Sequence, residues 1–311
     1  MKGRFVRKEA ELHSCLCTKE GEFMVARVKI VTDSTADIPL DLVKKFNISV
    51  IPLKVVIGNE TFQDGVNLTP ESFYQKLDEM DDLPSTSQPT PYEFETVYRR
   101  IAENDHSNDT TILSIHLSSQ LSGTIQSATL AADEVKDAVK VEVIDSKRAS
   151  YAIGIIVVEI AKMAQNGAGL SECKAKLEML LKRTNVYFLV DTLEYLQKNG
   201  RIGKASALIG SLLKMKPVLS LTEDGQVYPY HKARGRKKAL AVIREAVKNQ
   251  YGDQPVHVGV SHADAEESGE QLLRNVADGL NTQSMTTTKI GAVIGAHTGR
   301  GTVAISVTPA E

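Results

Sequence analysis

The chain is short of cysteine and has no long apolar run, and each shortage excludes a class of protein. Only three cysteines, Cys15, Cys17 and Cys173, occur among 311 residues. A sparse, odd set builds no disulfide framework and suits a reducing compartment, so a cytoplasmic location is expected. No stretch reaches the ~18 apolar residues of a transmembrane helix. The most apolar run, Ile153 to Ala164, is broken by Glu159 and Lys162 and reads as a buried core helix. An excess of one charge is also missing. The formal net charge of −2 leaves no overall electrostatic footprint for nucleic acid or for an anionic membrane surface. What is present is ordinary globular composition, 42% hydrophobic and 24% charged. The length suits one large domain or two intimate lobes, each with a real core.

Several motifs are absent as well. No G-x-x-x-x-G-K-[ST] phosphate loop occurs, and no G-x-G-x-x-G follows the first strand. Gly299-Arg300-Gly301 comes too late in the chain and lacks the third glycine. There is no G-x-S-x-G nucleophile elbow and no H-E-x-x-H. Residues 1–25 are charged and have no apolar signal core, so they read as an unstructured extension. Met24, just before the first strand, is a candidate start. His13, Cys15 and Cys17 form H-x-C-x-C, but zinc sites need four ligands and no second cluster follows. Neither a metal nor a cofactor is expected.

From Val28 onward, short β-branched runs alternate with helical patterns. Strands are expected at Val28–Val31, Ile48–Ile57, Thr110–His116, Val139–Ile144 and Val186–Val190. Helices are expected near 39–46, 69–80, 92–103, 124–135, 150–165 and 170–181, with Thr69 as an N-cap. This alternation implies parallel βαβ units. After about residue 190 the pattern changes. Helices are expected at 191–199 and 204–214, and Thr222-Glu223-Asp224-Gly225 joins two strands as a hairpin. A basic helix (236–248), a strand (256–261), a helix (265–280), a glycine-rich loop (291–301) and a last strand (302–307) follow. The fold class is therefore α/β with two lobes, a mostly parallel sheet in the first and a mixed sheet in the second. The boundary falls between about 165 and 185.

Small hydroxyl residues gather where strands hand over to helices. Thr86-Ser87-Gln88-Pro89 precedes one helix, and Ser118 to Thr124 links a strand to another. Ligands of open α/β sheets bind beyond the carboxyl ends of the strands, where helix N-termini favour anions. Ser122 is placed as N-cap and anion donor, and Gly123 permits close approach of the backbone. Simple capping explains the same residues. His297, in Gly295 to Gly301, could donate to an anion, shuttle a proton, or do neither. His116 reads as a structural strand-end residue. Two basic stretches, His231 to Lys238 and Gly200 to Lys204, read as docking patches or as solvated surface.

Taken together, these segments resemble the DegV family. Val31-Thr32-Asp33-Ser34-Thr35-Ala36-Asp37 resembles its opening. Thr86-Ser87-Gln88-Pro89, Leu117 to Thr124, Asp145-Ser146, Gly200-Arg201-Ile202-Gly203 and Gly291 to His297 follow in family order, covering residues 27–308. The resemblance implies a two-lobed fold, lobes about 27–170 and 171–308, with a long-chain fatty acid such as palmitate or oleate held between them. It places the carboxylate at Thr86, Ser122 and His297, with Ser87, Ser119 and Gly123 in support. It further implies a carrier without chemistry of its own, which presents the carboxylate to a separate ATP-dependent kinase for phospholipid synthesis. One departure is Arg300, where many relatives have proline. The physics fits such a ligand: about fourteen buried methylenes are worth roughly 11 kcal/mol before ordering costs, so the tail would supply affinity and the head group orientation. A serine-dependent acyl hydrolase or transferase using Ser122 with His297, and a carrier of another anionic lipid, are the competing expectations.

Overall fold

A computed structural model of the chain describes residues 27–80, 82–104, 109–210 and 216–311. The extension with its H-x-C-x-C lies outside the described residues. β1 (Arg27–Asp33) runs through a 3-10 turn at Ser34–Ala36 into α1 (Leu40–Lys45) and β2 (Ser49–Ile51). β3 (Lys54–Ile57) and β4 (Glu60–Gln63) form a hairpin, followed by α2 (Pro70–Glu79), β5 (Ser85–Ser87) and α3 (Pro91–Glu103). β6 (Thr110–His116), α4 (Thr124–Glu134) and β7 (Lys140–Asp145) come next, then the long helices α5 (Tyr151–Gln165) and α6 (Leu170–Arg183).

β1, β2, β6 and β7 pair in parallel as a four-stranded sheet in the order β2-β1-β6-β7. All seven residues of β6 are buried, as a central parallel strand covered on both faces requires. The stretch expected as one strand, Ile48 to Ile57, is two. Pro52 has no N–H to continue a ladder, and beyond it β3 leaves for a separate antiparallel sheet in the order β4-β3-β5. β4 and β5 were not foreseen. Both are short and polar, and the second lies inside the stretch read as the Thr86 loop.

The remaining elements are β8 (Asn185–Leu189), α7 (Glu194–Lys198), a 3-10 turn at Gly203–Leu208, β9 (Lys216–Leu221) and β10 (Val227–Ala233). Then come α8 (Arg236–Tyr251), β11 (Pro255–His262), α9 (Glu266–Ala277), β12 (Asn281–Lys289), α10 (Ala292–Thr298) and β13 (Val303–Pro309). The strands form a mixed sheet in the order β10-β9-β8-β13-β11-β12, in which only the β11–β12 pairing is parallel. The fold class is therefore the α/β arrangement expected.

Three expectations are corrected here. The helix at 204–214 is only the 3-10 turn as far as Leu208, and residues 211–215 lie outside the description. β12 escapes the sequence because its residues, Asn-Thr-Gln-Ser-Met-Thr-Thr-Thr-Lys, lack the apolar alternation of a half-buried strand. It is an edge strand and mostly exposed. The glycine-rich loop at 291–301 contains α10. Its Gly295 serves packing, since a Cβ there would lie 2.5 Å from the Tyr74 hydroxyl and 2.8 Å from the Phe73 ring.

α5 joins the two halves. Ten of its residues are buried, and it packs on β1 and β6 of the parallel sheet and on β11 and β13 of the mixed one. Glycines make that approach possible. A Cβ on Gly154 would lie 2.4 Å from the Ala36 carbonyl oxygen, and one on Gly259 would lie 2.2 Å from the Tyr151 ring. Ordinarily alanine stabilises a helix interior relative to glycine by about 0.8–1 kcal/mol. At Gly154 the sign should reverse, because backbone cannot yield as a flexible side chain does. Gly154→Ala is expected to destabilise the fold by about 1–3 kcal/mol in urea unfolding, and a stabilised variant would contradict this packing.

Candidate functional site

The two hydroxyl segments and His297 arrive from different layers. In β5, Thr86 pairs with Val55 of β3, which fixes its direction. Its Oγ1 lies 2.8 Å from Nε2 of His297. That histidine occupies the last turn of α10 rather than a loop. Gly299 ends the helix at φ 77°, with its N–H donating to the Gly295 carbonyl at 2.8 Å. Arg300 ties the same end down, since it donates to the Tyr74 carbonyl at 2.6 Å and pairs with Asp78 and Asp264 at 3.1 and 3.2 Å. The departure from proline thus leaves an anchored turn.

Ser122 is not the helix cap expected of it. Gly123 holds the N-cap position of α4, and Ser122 sits one residue earlier. From there its Oγ accepts from the Thr124 N–H at 3.3 Å and shares a hydrogen bond with Thr124 Oγ1 at 2.9 Å. Gly123 lets the two segments touch, because a Cβ there would lie 2.9 Å from the Gln88 side-chain amide. The supporting residues divide. Ser119 is exposed and bound to Asp145 at 2.6 Å, and exposed Ser87 turns to the Gln88 carbonyl at 3.3 Å. Neither lines the cavity described next.

A slot runs from this polar end between the two halves. Its walls are Leu121, Val186, Phe188, Leu196, Val227 and Ile294, and its polar lining includes His297, Arg201 and Ser150. The empty space in it and at its mouth is about 620 Å³. Arg201 was the residue missed: the turn around it reads equally well as solvated surface. Its Nε donates to the Leu121 carbonyl at 3.1 Å and its Nη1 to the Asn199 carbonyl at 2.7 Å, which aligns the guanidinium along the slot. Only the glycines flanking it hinted at a constrained turn.

His297 is neutral in this setting. Burial, and then the positive charge of Arg201, push its imidazole down to about 4. Its Nδ1 is buried and has no hydrogen-bond partner among the described residues. A neutral imidazole has one donor and one acceptor nitrogen, so with Nε2 accepting from Thr86, Nδ1–H would be a donor. His297 and Arg201 thus put a neutral imidazole and a guanidinium on an otherwise apolar slot, whereas Thr86 reaches it only through its bond to His297 and Ser122 is not part of its lining.

A serine–histidine–aspartate sequence of hydrogen bonds does occur, but elsewhere. Ser114 Oγ lies 2.6 Å from His116 Nε2, and His116 Nδ1 lies 2.9 Å from Asp33 Oδ2. All three are fully buried in the first lobe, and Tyr98 also bonds Ser114 at 2.8 Å. With no access for a substrate, this chain of bonds is structural, as expected for His116. Among the described residues no group of three or more His, Cys, Asp or Glu is arranged to hold a metal.

This α/β architecture, with a parallel sheet in the N-terminal part and a mixed sheet in the C-terminal part, is shared with known proteins. The family model described as "Uncharacterised protein, DegV family" matches residues 27–310. A DegV domain-containing protein of Streptomyces coelicolor is 38% identical over 287 residues, 91% of this chain and 99% of that one. The solved structure of a fatty-acid-binding DegV family protein from Thermus thermophilus shares 37% identity at a TM-score of 0.85, covering 91% of this chain and 99% of that one. That of DegV from Bacillus subtilis, a fatty acid binding protein, shares 34% at 0.81 with the same coverage. The chain belongs to the DegV family.

The histidine environment can be checked directly. In a pH titration followed by NMR, the His297 ring should stay neutral down to about pH 5 and protonate near 4. Arg201→Ala should raise that midpoint by removing a neighbouring positive charge. Because the folded value is depressed, this group's contribution to stability is present above the ordinary 6.5 and is lost as pH falls through about 4.

Proposed function

We propose that the chain binds one long-chain fatty acid such as palmitate or oleate. The tail fills the apolar slot, and the carboxylate is held by Thr86, Ser122 and His297. The observation that carries this reading is an apolar slot whose lining includes His297 and Arg201. Fatty acid binding by the Thermus and Bacillus relatives supports it. Arg201 adds a fixed positive charge that favours an anionic head group, and neutral His297 adds direction.

A carrier function follows from the same features. In this reading the carboxylate sits beside His297 and Arg201. No nucleotide-binding motif accompanies it in this sequence. We therefore assign the chain the carrier half of a two-protein system in the cytoplasm. A separate ATP-dependent kinase would phosphorylate the bound carboxylate on the way to phospholipid synthesis. The hydrolase alternative is weaker. Ser122 bonds Thr124, His297 bonds Thr86, and an imidazole held near 4 is a poor general base at neutral pH.

Native mass spectrometry followed by organic extraction tests the binding. A stoichiometric long-chain fatty acid is expected. Removing one hydrogen bond to a charged group costs about 1.5–3 kcal/mol, so Thr86→Ala or Ser122→Ala should each weaken binding by roughly 10- to 150-fold. A protein that is empty and also fails to take up added palmitate or oleate would refute the assignment. Acyl-ester turnover abolished by Ser122→Ala would favour the hydrolase. ATP-dependent acyl phosphate formation by the purified chain alone would refute the division of labour with a kinase.

A further inference from the structure

The N-terminal end of α10 is gripped by two buried carboxylates from the first lobe. Asp37, just after the first 3-10 turn, accepts from the Gly291 N–H at 2.9 Å, and Asp64, just after β4, accepts from the Ala292 N–H at 2.9 Å. Their exposures are 8% and 3%. A Cβ on Gly291 would lie 2.9 Å from Asp37 Oδ1 and 3.1 Å from Asp64 Oδ1, so both acids close on one glycine. Asp37 Oδ2 lies 2.5 Å from Ser150 Oγ, and the Asp37 carbonyl accepts from Thr288 Oγ1 at 2.8 Å. Ser150 holds φ 54°, which non-glycine residues rarely adopt. The slot touches this grip from one side through Ser150 and Ile290, while a solvent-open groove meets Asp33, Asp37 and Asp64 from the other. α10 itself supplies Ile294, His297 and Thr298 to the slot wall.

We propose that Asp37 and Asp64 are positioning residues forming a proton-dependent latch on α10. Protonation seats the helix, holding His297 at Thr86 and the slot closed; ionisation releases it and opens the slot for ligand exchange. This inference rests on the slot being the lipid site.

Two adjacent buried carboxyls cannot ionise cheaply, because each loses hydration and repels the other. Burial holds Asp64 at about 6, although hydrogen bonds from Ser34 and from the Ala292 and Val293 N–H groups pull it down. Burial likewise holds Asp37 well above the ordinary carboxylate range. If α10 moves away, water reaches both groups and their values fall towards the ordinary 3.8. The seated state therefore binds more protons. Its advantage is complete below about 3.8 and is lost as pH rises through about 6.

Other charged groups surround the latch. Asp33 approaches from β1 and is itself bound by His116 of β6. Tyr74 of α2 donates to the Ile290 carbonyl at 3.1 Å. Glu71 of α2 pairs with Lys289 of β12 at 2.5 Å. His262 of β11 and Glu266 of α9 line the groove, and Asp264, between them in sequence, pairs with Arg300. His262 is pushed down by burial, and His297, at about 4, lies at the lower edge of the window, beneath the pH 5–8 range of the test.

Release of a fluorescent long-chain alcohol, which has no ionising head group, tests the latch by stopped flow on the full chain between pH 5 and 8. Release should accelerate about tenfold or more as pH rises through the Asp64 transition. Asp37→Asn/Asp64→Asn, in which both acids are replaced by isosteres of their protonated forms, should be slow and flat, while His262→Gln should keep the wild-type slope. A flat wild-type profile, or a sloped one in the double variant, would overturn the latch. Should the double variant not fold, hydrogen exchange of the wild-type α10 amides decides. Corrected for intrinsic rates, their protection should fall as pH rises through the same window, and constant protection overturns the proposal. Failure of both the alcohol and palmitate to bind at any pH would overturn the lipid reading, and the latch with it.

Discussion

The seating of α10 is the interaction on which the rest of the site depends. The helix is only seven residues long, too short to be stable alone. It persists because Asp37 and Asp64 satisfy its first N–H groups, because Gly295 admits Phe73 and Tyr74 of α2, and because Arg300 fastens the chain beyond its end. All of those partners except Arg300 come from the first lobe. A helix that belongs to the second half of the chain is thus held by the first half. The slot exists where the halves meet, with α5 setting how closely they can approach.

The electrostatics of the polar end follow from this arrangement. Burial in an α10 turn, beside the Arg201 guanidinium, keeps His297 uncharged. The site therefore combines one permanent cation with neutral hydroxyl and imidazole groups. Such a site can orient a carboxylate without burying a tight ion pair, whose desolvation would offset much of its attraction. On the proposed reading, apolar walls supply affinity in proportion to buried chain length, and the polar lining supplies orientation.

Much of this was legible because it is local. The β6 run from Thr110 to His116 is apolar and β-branched enough to be a buried strand wherever it is placed. Thr69 caps α2 as its position suggests. The resemblance to the DegV family singled out Thr86 and His297 as expected site residues, and the fold brings the two to 2.8 Å across 211 residues. β12 was not legible, because an exposed edge strand carries no apolar pattern. α10 was hidden by glycines whose purpose lies in neighbouring side chains. Arg201 looked like any basic turn, since nothing beside it in the sequence reveals which surface will cover it.

The sequence by itself determined the α/β alternation, the change to a mixed sheet in the second half, the absence of a long apolar span and the residue types at the strand-end loops. Those properties depend on periodicity, composition and turn chemistry within a few residues. Only the tertiary structure decided that Ser119 belongs to Asp145, that Arg201 belongs to the slot, and that Asp37 and Asp64 share the end of one helix. Each of these assignments pairs groups far apart in the chain. Burial and charge act through space, so the neighbours that set a group's proton affinity or its access to a ligand exist only once the lobes have closed.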